Sequence, residues 1–285
     1  MSKTHWAKQC YYIFIPIFPT ASLLIEGFRD KNFLTDFVTK RYDKEISPKL
    51  LEYVENEMDN FVIKNNESLI KNVEFKVSLS NDVVCKTWGS LLLKNGSEYQ
   101  FPLTMNTDNH DEMREILINK YSFLNDQPIP YKIINQCLIS ENGKRFCIQR
   151  EILKSHSGLY LCFPSFIWLG LSSSFYGGCS FLFPLIGIPL GCILAASGTL
   201  FLYPFLFNIY KEQEEVNFDN TIFNEDDMYK QGAKDYFKSC KTICNIVGKE
   251  NYGIKNSLLL DKRIANLKKL LAESRVQKKK NVIIK

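Results

Sequence analysis

Histidine and cysteine are the side chains of this chain best suited to acid–base, nucleophilic or metal chemistry, but their spacing favours none of these. The 285-residue sequence has three histidines, His5, His110 and His156, far apart from one another. Among its nine scattered cysteines, Cys240 and Cys244 lie one helical turn apart. Two residues at that spacing can reach one ion, but a structural zinc site needs four close ligands. We therefore expect the cysteines to be small apolar residues on buried faces, with no metal bound.

The short motifs that position catalytic groups are also missing. The sequence has no Gly-x-x-x-x-Gly-Lys loop, no Gly-x-Gly-x-x-Gly, no His-Glu-x-x-His and no Gly-x-Ser-x-Gly. It therefore predicts no catalytic, cofactor-binding or metal-binding residues and no bound cofactor. We expect a protein that is not an enzyme, has no small-molecule substrate and works by binding.

The chain is organised around one long uncharged stretch. Between Lys154 and Lys211 there is no Asp, Glu, Lys or Arg. A single helix of this length would extend about 80 Å, whereas the hydrocarbon core of a bilayer is about 30 Å thick. The chain must therefore fold back, and we predict two membrane spans, roughly 158–176 and 186–207, joined by a short uncharged turn: three serines at 172–174 lead into Gly177-Gly178, and Pro184 follows. A buried hairpin of a large soluble protein explains so long a charge-free stretch less well.

Small residues recur at every fourth position in both predicted spans. They are Gly187, Gly191 and Ala195 in the second span and Gly170 and Ser174 in the first. Such rows let neighbouring helices approach closely in a membrane, although glycine is also simply common there. Pro189 either kinks the second span or marks its true beginning.

The predicted fold class is a membrane α-helical hairpin with a small α+β soluble domain and a helical C-terminal region. Residues 1–27 form a basic start and an apolar N-terminal anchor or possible span. Residues 28–155 form the soluble domain, which ends in a stalk helix, and 156–210 form the transmembrane hairpin. An acidic link follows over 211–227, and a basic helical region over 228–285.

The N-terminal apolar segment has three competing interpretations. Cys10–Ile25 is uncharged, mostly apolar and interrupted by Pro16 and Pro19. Its length is at the short limit for a membrane span. A secretory signal peptide lacks a convincing cleavage site here, and a mitochondrial import signal would be richer in arginine. We favour an uncleaved anchor or span.

Within the soluble domain the hydrophobic periodicity changes from helical to alternating. Ser47 is placed to cap a helix that ends near Asn65. Alternation over 73–79 predicts a half-buried strand, and Asn95-Gly96 predicts a primed turn between strands near 91–93 and 99–103. We therefore expect a small antiparallel sheet. The segment 131–153 follows as one helix, the predicted stalk.

Charge is distributed unevenly after the hairpin. Residues 211–227 hold one basic and seven acidic side chains, and 228–285 hold fifteen basic and four acidic ones. The C-terminal region has two apolar stripes at helical spacing, 229–247 and 260–271. A basic amphipathic helix suits an anionic membrane or an acidic partner, and a solvated basic face is an equal alternative. We expect no nucleic acid partner.

Three sequence blocks resemble the transmembrane protein 177 family. They are, in order, MNTDN (105–109), CLISENGKRFCIQREIL (137–153) and GAKDYFKSCKTICNIVGKENYG (232–253), with the uncharged hairpin between the second and the third. The family positions of the second block correspond to Leu138, Ser140, Lys144 or Arg145, Phe146, Arg150 and Glu151. Those of the third block correspond to Gly232, Tyr236, Val247, Gly248 and Lys249. Gly143, Cys240 and Cys244 depart from the family pattern.

The resemblance implies a multi-pass scaffold of the mitochondrial inner membrane. Proteins of this family act in cytochrome c oxidase biogenesis, where they stabilise newly made subunit 2 with its assembly chaperone and copper-delivery factors. The expected partners are therefore membrane lipid, subunit 2 and these assembly factors. The resemblance implies no catalytic or binding residue.

Two other functions compete with the scaffold. One is a secretory-pathway membrane protein with a binding role, for which Asn66-Glu-Ser68 and Asn95-Gly-Ser97 are possible glycosylation acceptors. The other is a membrane-bound enzyme with an unrecognised site. The topology signals conflict. Lys3 and Lys8 at the N-terminus and the basic residues of 144–154 all favour the inner side of the membrane. If residues 10–26 cross the membrane once, however, these two groups must lie on opposite sides.

Overall fold

The computed structural model describes residues 5–27, 41–65, 74–126 and 129–283 of the chain. Most of these residues are helical, and four short strands form one sheet. The helices are α1 His5–Gly27, α2 Pro48–Asn65, α3 His110–Lys120, α4 Tyr131–Cys137, α5 Glu141–His156, α6 Gly158–Ser180, α7 Phe183–Ile186, α8 Ile188–Phe223, α9 Asp227–Tyr252 and α10 Ile254–Ile283. The strands are β1 Arg41–Tyr42, β2 Phe75–Ser80, β3 Lys86–Gly89 and β4 Ser97–Pro102.

The sheet is mixed, with the strand order β1-β2-β4-β3. Its central strands, β2 and β4, are parallel, whereas β1 pairs with β2 and β3 pairs with β4 in antiparallel ladders. The prediction of an antiparallel sheet is therefore wrong for the central pair. Parallel neighbours need a crossover connection, and here the chain makes it by passing through the edge strand β3.

The hairpin between β3 and β4 has a longer connection than predicted. Residues 91–93 are a turn rather than a strand, and β3 lies before them. The backbone N–H of Leu91 donates to the carbonyl of Ser155 on α5, 3.0 Å away, and Leu91 is buried. Gly96 ends the connection with φ of 64°, a conformation that favours glycine. Burial of Leu91 against α5 therefore decides where the strand ends.

The larger of the two hydrophobic cores in the described part of the chain, which we call the main core, is built by the sheet, α2 to α5, the end of α8, α9 and α10. Helix α5 is the central helix of this core and not a stalk. The single helix predicted over 131–153 is broken, because α4 ends at Cys137 and α5 begins at Glu141. Ser140 caps α5 by accepting a hydrogen bond from the N–H of Gly143, 3.2 Å away. The helix contacts α2, β3, α8 and α9, so most of its residues are buried.

The uncharged stretch forms two long helices, and the chain reverses in the region predicted between them, although the first helix is a few residues longer than predicted. The segment 172–178 stays helical within α6, which ends at Ser180. Membrane-type helices tolerate glycine, so the two glycines at 177 and 178 do not break it. The reversal occurs over 181–187, where Gly187 has φ of 83°. Pro189 follows in the first turn of α8 and therefore marks the beginning of that helix.

The acidic segment 211–227 differs most from its prediction. Instead of a link, it continues α8 as helix to Phe223, and α9 begins soon afterwards at Asp227. Two of its acidic residues, Glu215 and Asp219, are buried against basic side chains of other helices. These contacts stabilise a helix that its own sequence does not predict.

The two C-terminal helices are confirmed, and their apolar stripes belong to the main core. The stripe 229–247 of α9 is buried, and Gly248 kinks the helix with φ of 79°. On α10, Leu260 and Leu267 are buried in the same core. These leucines of α10 therefore contact the protein itself rather than a membrane or a partner.

Helix α1 lies beside α6 and α8 and runs opposite to α6. Near its start, Lys8 lies 5.7 Å from the ring of Phe183 in the reversal between the two long helices. Further along, Phe18 contacts Tyr203 of α8 with 4.9 Å between ring centroids. The end of α1 approaches β3. The start and the end of α1 therefore lie at opposite ends of the α6–α8 pair.

Candidate functional site

Helices α1, α6, α7 and residues 188–210 of α8 form what we call the apolar layer. Two helices, Gly158–Ser180 and Ile188–Phe223, are long and apolar enough to cross a membrane. Large apolar side chains cover the outer surface of the layer, and Phe181 and Phe201 are each 84% exposed. A soluble protein rarely exposes a continuous apolar patch of this kind. The surface suits contact with lipid or with apolar helices.

Hydrogen bonds hold α1 in the apolar layer. The indole N–H of Trp168 donates to the backbone carbonyl of Ile15, 2.9 Å away. The hydroxyl of Tyr11 donates to the carbonyl of Ser172 at 2.7 Å. In apolar surroundings few alternative partners exist for these groups. Helix α1 is therefore part of the layer and not a detached anchor.

The small-residue row of α8 is used in three different ways. Ala195 is fully buried in the contact with α1. At Gly191 an added Cβ would lie 2.4 Å from the ring of Phe183 in α7. Gly187 lies outside the helix as the residue before it. The row therefore mediates close contacts with α1 and α7.

The row predicted on α6 makes no such contact. Gly170 and Ser174 are exposed, and a Cβ added at Gly170 would meet no atom within 4 Å. A close approach of α6 and α8 occurs instead at Gly198, where an added Cβ would lie 2.8 Å from the ring of Phe175. The prediction for α6 is wrong because spacing alone does not say which face of a helix meets its neighbour.

Six buried charged side chains meet where the apolar layer joins the main core. We call them the ion cluster: Arg150, Glu151 and Lys154 of α5, Glu215 and Asp219 of α8, and Arg263 of α10. None of them is more than 6% exposed. Three basic and three acidic groups balance in number, so the formal charges of the cluster cancel.

Glu151 lies at the centre of the ion cluster. Its carboxylate accepts hydrogen bonds from Arg150 Nε at 3.0 Å, Lys154 Nζ at 3.1 Å and Thr87 Oγ1 at 2.6 Å. Lys154 also donates to Glu215 at 2.6 Å. The cluster therefore joins β3, α5 and α8 through charge-assisted hydrogen bonds.

Asp219 connects the same cluster to α10. Arg263 binds it with two hydrogen bonds, 2.6 Å from Nε and 2.7 Å from Nη2. This is the bidentate geometry that suits an arginine–carboxylate pair. Arg150 approaches Asp219 to 3.5 Å from the other side.

The electrostatics of the ion cluster favour the charged forms of Glu151 and Lys154. Burial, in contrast, raises the pKa of the Asp219 carboxyl well above its ordinary value despite the opposing charge of Arg150. Burial alone raises the pKa of the Glu151 carboxyl, but the charges of Lys154 and Arg150 outweigh this and lower it to about 2. Burial also opposes the charge of Lys154, yet Glu151 and Glu215 raise its pKa above the ordinary value. Groups that stay ionised at neutral pH are poor proton donors or acceptors there. The ion cluster is therefore suited to holding α5, α8 and α10 together.

Sequence reasoning missed the ion cluster and treated its basic residues as topology signals. In the structure Lys144, Arg150 and Lys154 are buried and paired, so they are not free charges at a membrane surface. A signal was present, since both Arg150–Lys154 and Glu215–Asp219 are four residues apart and share a helix face.

The three sequence blocks 105–109, 137–153 and 232–253 contact one another. Lys144 of the second block donates to Asp108 of the first at 2.8 Å. Gly232 of the third block crosses the second so closely that an added Cβ would lie 2.1 Å from the carbonyl oxygen of Asn142. Lys144 is buried at this contact, whereas Asp108 lies at the surface.

The histidines and the Cys240–Cys244 pair do not form a chemical site. His110 lies 2.9 Å from the amide oxygen of Asn135, and His156 contacts the ring of Phe61. Cys240 and Cys244 are buried in the main core, as predicted. Within the described ranges of the chain, no group of three or more His, Cys, Asp or Glu residues is placed to bind a metal ion.

Comparison with known proteins assigns neither a family nor a function to the chain. No protein family, no curated protein and no solved structure matches the chain. The functional interpretation therefore depends on the contacts described above and on the resemblance carried by the three blocks.

Proposed function

We propose that the protein is a multi-pass membrane scaffold of the mitochondrial inner membrane that assists cytochrome c oxidase biogenesis. In this role it stabilises newly made subunit 2 together with its assembly chaperone and copper-delivery factors. Its partners are membrane lipid, subunit 2 and these assembly factors. The proposal includes no enzymatic activity, no cofactor, no nucleic acid and no small-molecule substrate.

The observation that carries the membrane part of the proposal is the exposed surface of the apolar layer. Leu159, Phe166 and Ile193 are each more than half exposed, as are Phe181 and Phe201. Burying a large apolar side chain is worth about 1.5–3 kcal/mol. A membrane, or the membrane helices of a partner, gives these side chains the apolar surroundings that water does not.

The ion cluster supports a scaffold rather than a simple anchor. It ties α8 of the apolar layer to α5 and α10 of the main core. Because a buried charge that loses its partner is strongly unfavourable, these helices resist separation. A protein of this construction presents its apolar layer and its soluble part in a constant relative position.

The partner assignment is supported by the resemblance alone. The blocks that carry it contact one another through Lys144, Asp108 and Gly232. Agreement at contacting positions favours a shared fold. The role in oxidase assembly follows from that shared fold by analogy.

The proposal extends to a topology in which α1 is a third span. If α1 crosses the membrane beside α6 and α8, three spans place the chain termini on opposite sides. We expect protease added to mitoplasts, which are mitochondria stripped of the outer membrane, to remove a tag at one terminus and to spare a tag at the other. Equal protection of both tags would contradict a three-span topology.

Two experiments test the function itself. After carbonate extraction we expect the protein to stay in the membrane pellet, and release into the supernatant would contradict membrane insertion. From mild detergent we expect the tagged protein to co-purify with newly made subunit 2. A matched control is the double change Cys240→Ala, Cys244→Ala, which alters the core without touching the apolar layer.

For that control variant we expect normal subunit 2 levels, because neither thiol lies where a partner could reach it. Loss of subunit 2 with the variant still abundant would instead favour a thiol-based role. A mass shift on glycosidase treatment would favour the secretory alternative through Asn95, which is exposed. The other acceptor, at 66–68, lies outside the described residues.

A further inference from the structure

Two cysteines from distant parts of the chain meet inside the main core. Cys85 directly precedes β3 and Cys147 lies on α5, 62 positions later in the sequence. Their Sγ atoms are 3.0 Å apart, and the two residues are 6% and 0% exposed. This separation is about 1 Å longer than a disulfide bond, so a small movement of the side chains brings the sulfurs to bonding distance.

We propose that Cys85 and Cys147 form a disulfide that links the sheet to the central helix α5. The inference does not depend on the proposed function in oxidase assembly. It uses two cysteines to which the sequence assigned no role beyond packing. A bond that closes a loop of this length restricts the unfolded chain and stabilises the folded protein.

The reaction is a thiol–disulfide exchange with a disulfide oxidant, either a protein disulfide or glutathione disulfide. Both thiols are buried in the folded protein, so the exchange begins when folding or local opening exposes Cys85, which forms a mixed disulfide with the oxidant and releases one oxidant thiol. The thiolate of Cys147 then attacks the sulfur of Cys85 and displaces the second oxidant thiol. Two protein S–H bonds and the S–S bond of the oxidant break, one protein S–S bond and two oxidant S–H bonds form, and two electrons and two protons pass to the oxidant.

The surroundings of Cys147 favour its role as the group that attacks second, because in the folded protein burial and the hydrogen bond with Cys147 raise the pKa of the Cys85 thiol well above its ordinary value. Burial alone raises the pKa of the Cys147 thiol, but the hydrogen bond with Cys85 and the charge of Arg150 lower it below the ordinary value. The thiolate is the nucleophile in thiol–disulfide exchange. Arg150 belongs to the ion cluster, so its charge is held at a constant place beside the thiol.

Cys244 provides a matched control in the same core. It is also buried, but its sulfur lies 3.6 Å from the hydroxyl of Ser257 rather than beside a second thiol. We therefore expect Cys244 to stay reduced under conditions that oxidise the proposed pair.

Peptide mapping of the full-length protein tests the proposal directly. Trypsin places Cys85 in the peptide 77–86, Cys147 in 146–150 and Cys244 in 242–249, with one cysteine in each. The protein is quenched in acid, alkylated under denaturing conditions and digested without reduction. We expect 77–86 joined to 146–150, a species lost on reduction, while 242–249 is alkylated in every sample.

Two further measurements make the result decisive. In Cys85→Ala, the peptide 146–150 should be recovered alkylated. Reduction should lower the unfolding temperature of the unmodified protein by several degrees and leave that of Cys85→Ala unchanged. Alkylation of both 77–86 and 146–150 in the unmodified protein, even after incubation with glutathione disulfide, would overturn the proposal.

Discussion

The indole N–H of Trp168 donates to the backbone carbonyl of Ile15 across the contact between α6 and α1. Four residues after Ile15, Pro19 has no N–H to donate back to that carbonyl. A carbonyl without a partner is costly in apolar surroundings. Trp168 therefore completes the hydrogen bonding of α1 at the position where proline interrupts it.

Replacing the indole tests this relationship. Trp168→Phe keeps aromatic contact with Phe14 and Phe18 but removes the donor. We expect a loss of about 1 kcal/mol in the free energy of unfolding, measured in detergent micelles. In a Pro19→Ala background the loss should be smaller, because the alanine N–H can bond to the carbonyl of Ile15. Equal losses in both backgrounds would show that the hydrogen bond is not the cause.

A larger side chain at Ala195 should separate α1 from α8. Ala195 is fully buried between these helices. We expect Ala195→Leu to lower stability by roughly 1–3 kcal/mol through overpacking. Leu194→Ile is the control, since Leu194 is 46% exposed on the outer surface of the apolar layer. Thermal unfolding that does not distinguish the two variants would argue against a close α1–α8 contact.

Removing the central charge of the ion cluster should destabilise the protein strongly. Glu151→Gln leaves Arg150 and Lys154 buried with less negative charge nearby, so we expect a loss of about 3–5 kcal/mol. Glu141 on the same helix pairs with Arg145 at the surface and is 54% exposed. Glu141→Gln should therefore cost no more than about 1 kcal/mol. Chemical denaturation of both variants gives the comparison, and similar costs would contradict a buried network.

The low pKa of Glu151 also predicts how its contribution depends on pH. The pKa of this carboxyl is about 2 in the folded protein, below its ordinary value of 4.5. Its contribution to stability is therefore complete above pH 4.5 and is lost as the pH falls towards 2. The stability difference between the unmodified protein and Glu151→Gln should shrink over this range. A difference that stays constant down to pH 2 would contradict the shift.

The crossing of α5 and α9 should tolerate no side chain at Gly232. A Cβ there would lie 2.1 Å from a backbone oxygen of Asn142, so the two helices must move apart. We expect Gly232→Ala to cost about 1–3 kcal/mol or more. Gly178→Ala, at a helical glycine with no atom within 4 Å of the added Cβ, should not lower stability. Unfolding curves that coincide for the two variants would contradict the close crossing.

Features that depend on neighbouring residues could be read from the sequence. The absence of charge between Lys154 and Lys211 predicted two long apolar helices, and apolar stripes predicted α9 and α10. Ser47 was identified as a cap, and its hydroxyl accepts a hydrogen bond from the N–H of Leu50. Periodicity and capping act within a few turns, so a single stretch of sequence contains them.

Pairings between distant segments were decided by the tertiary structure alone. The acidic residues of 211–227 appeared to form a link until their partners on α5 and α10 were known, and these partners make that segment helical. The sheet is a second example, since β2 pairs with β4 in parallel because β3 occupies the edge of the sheet. The energy of a buried ion pair or a strand ladder depends on which distant segment of the chain lies next to it in the fold, and the local sequence does not contain that information.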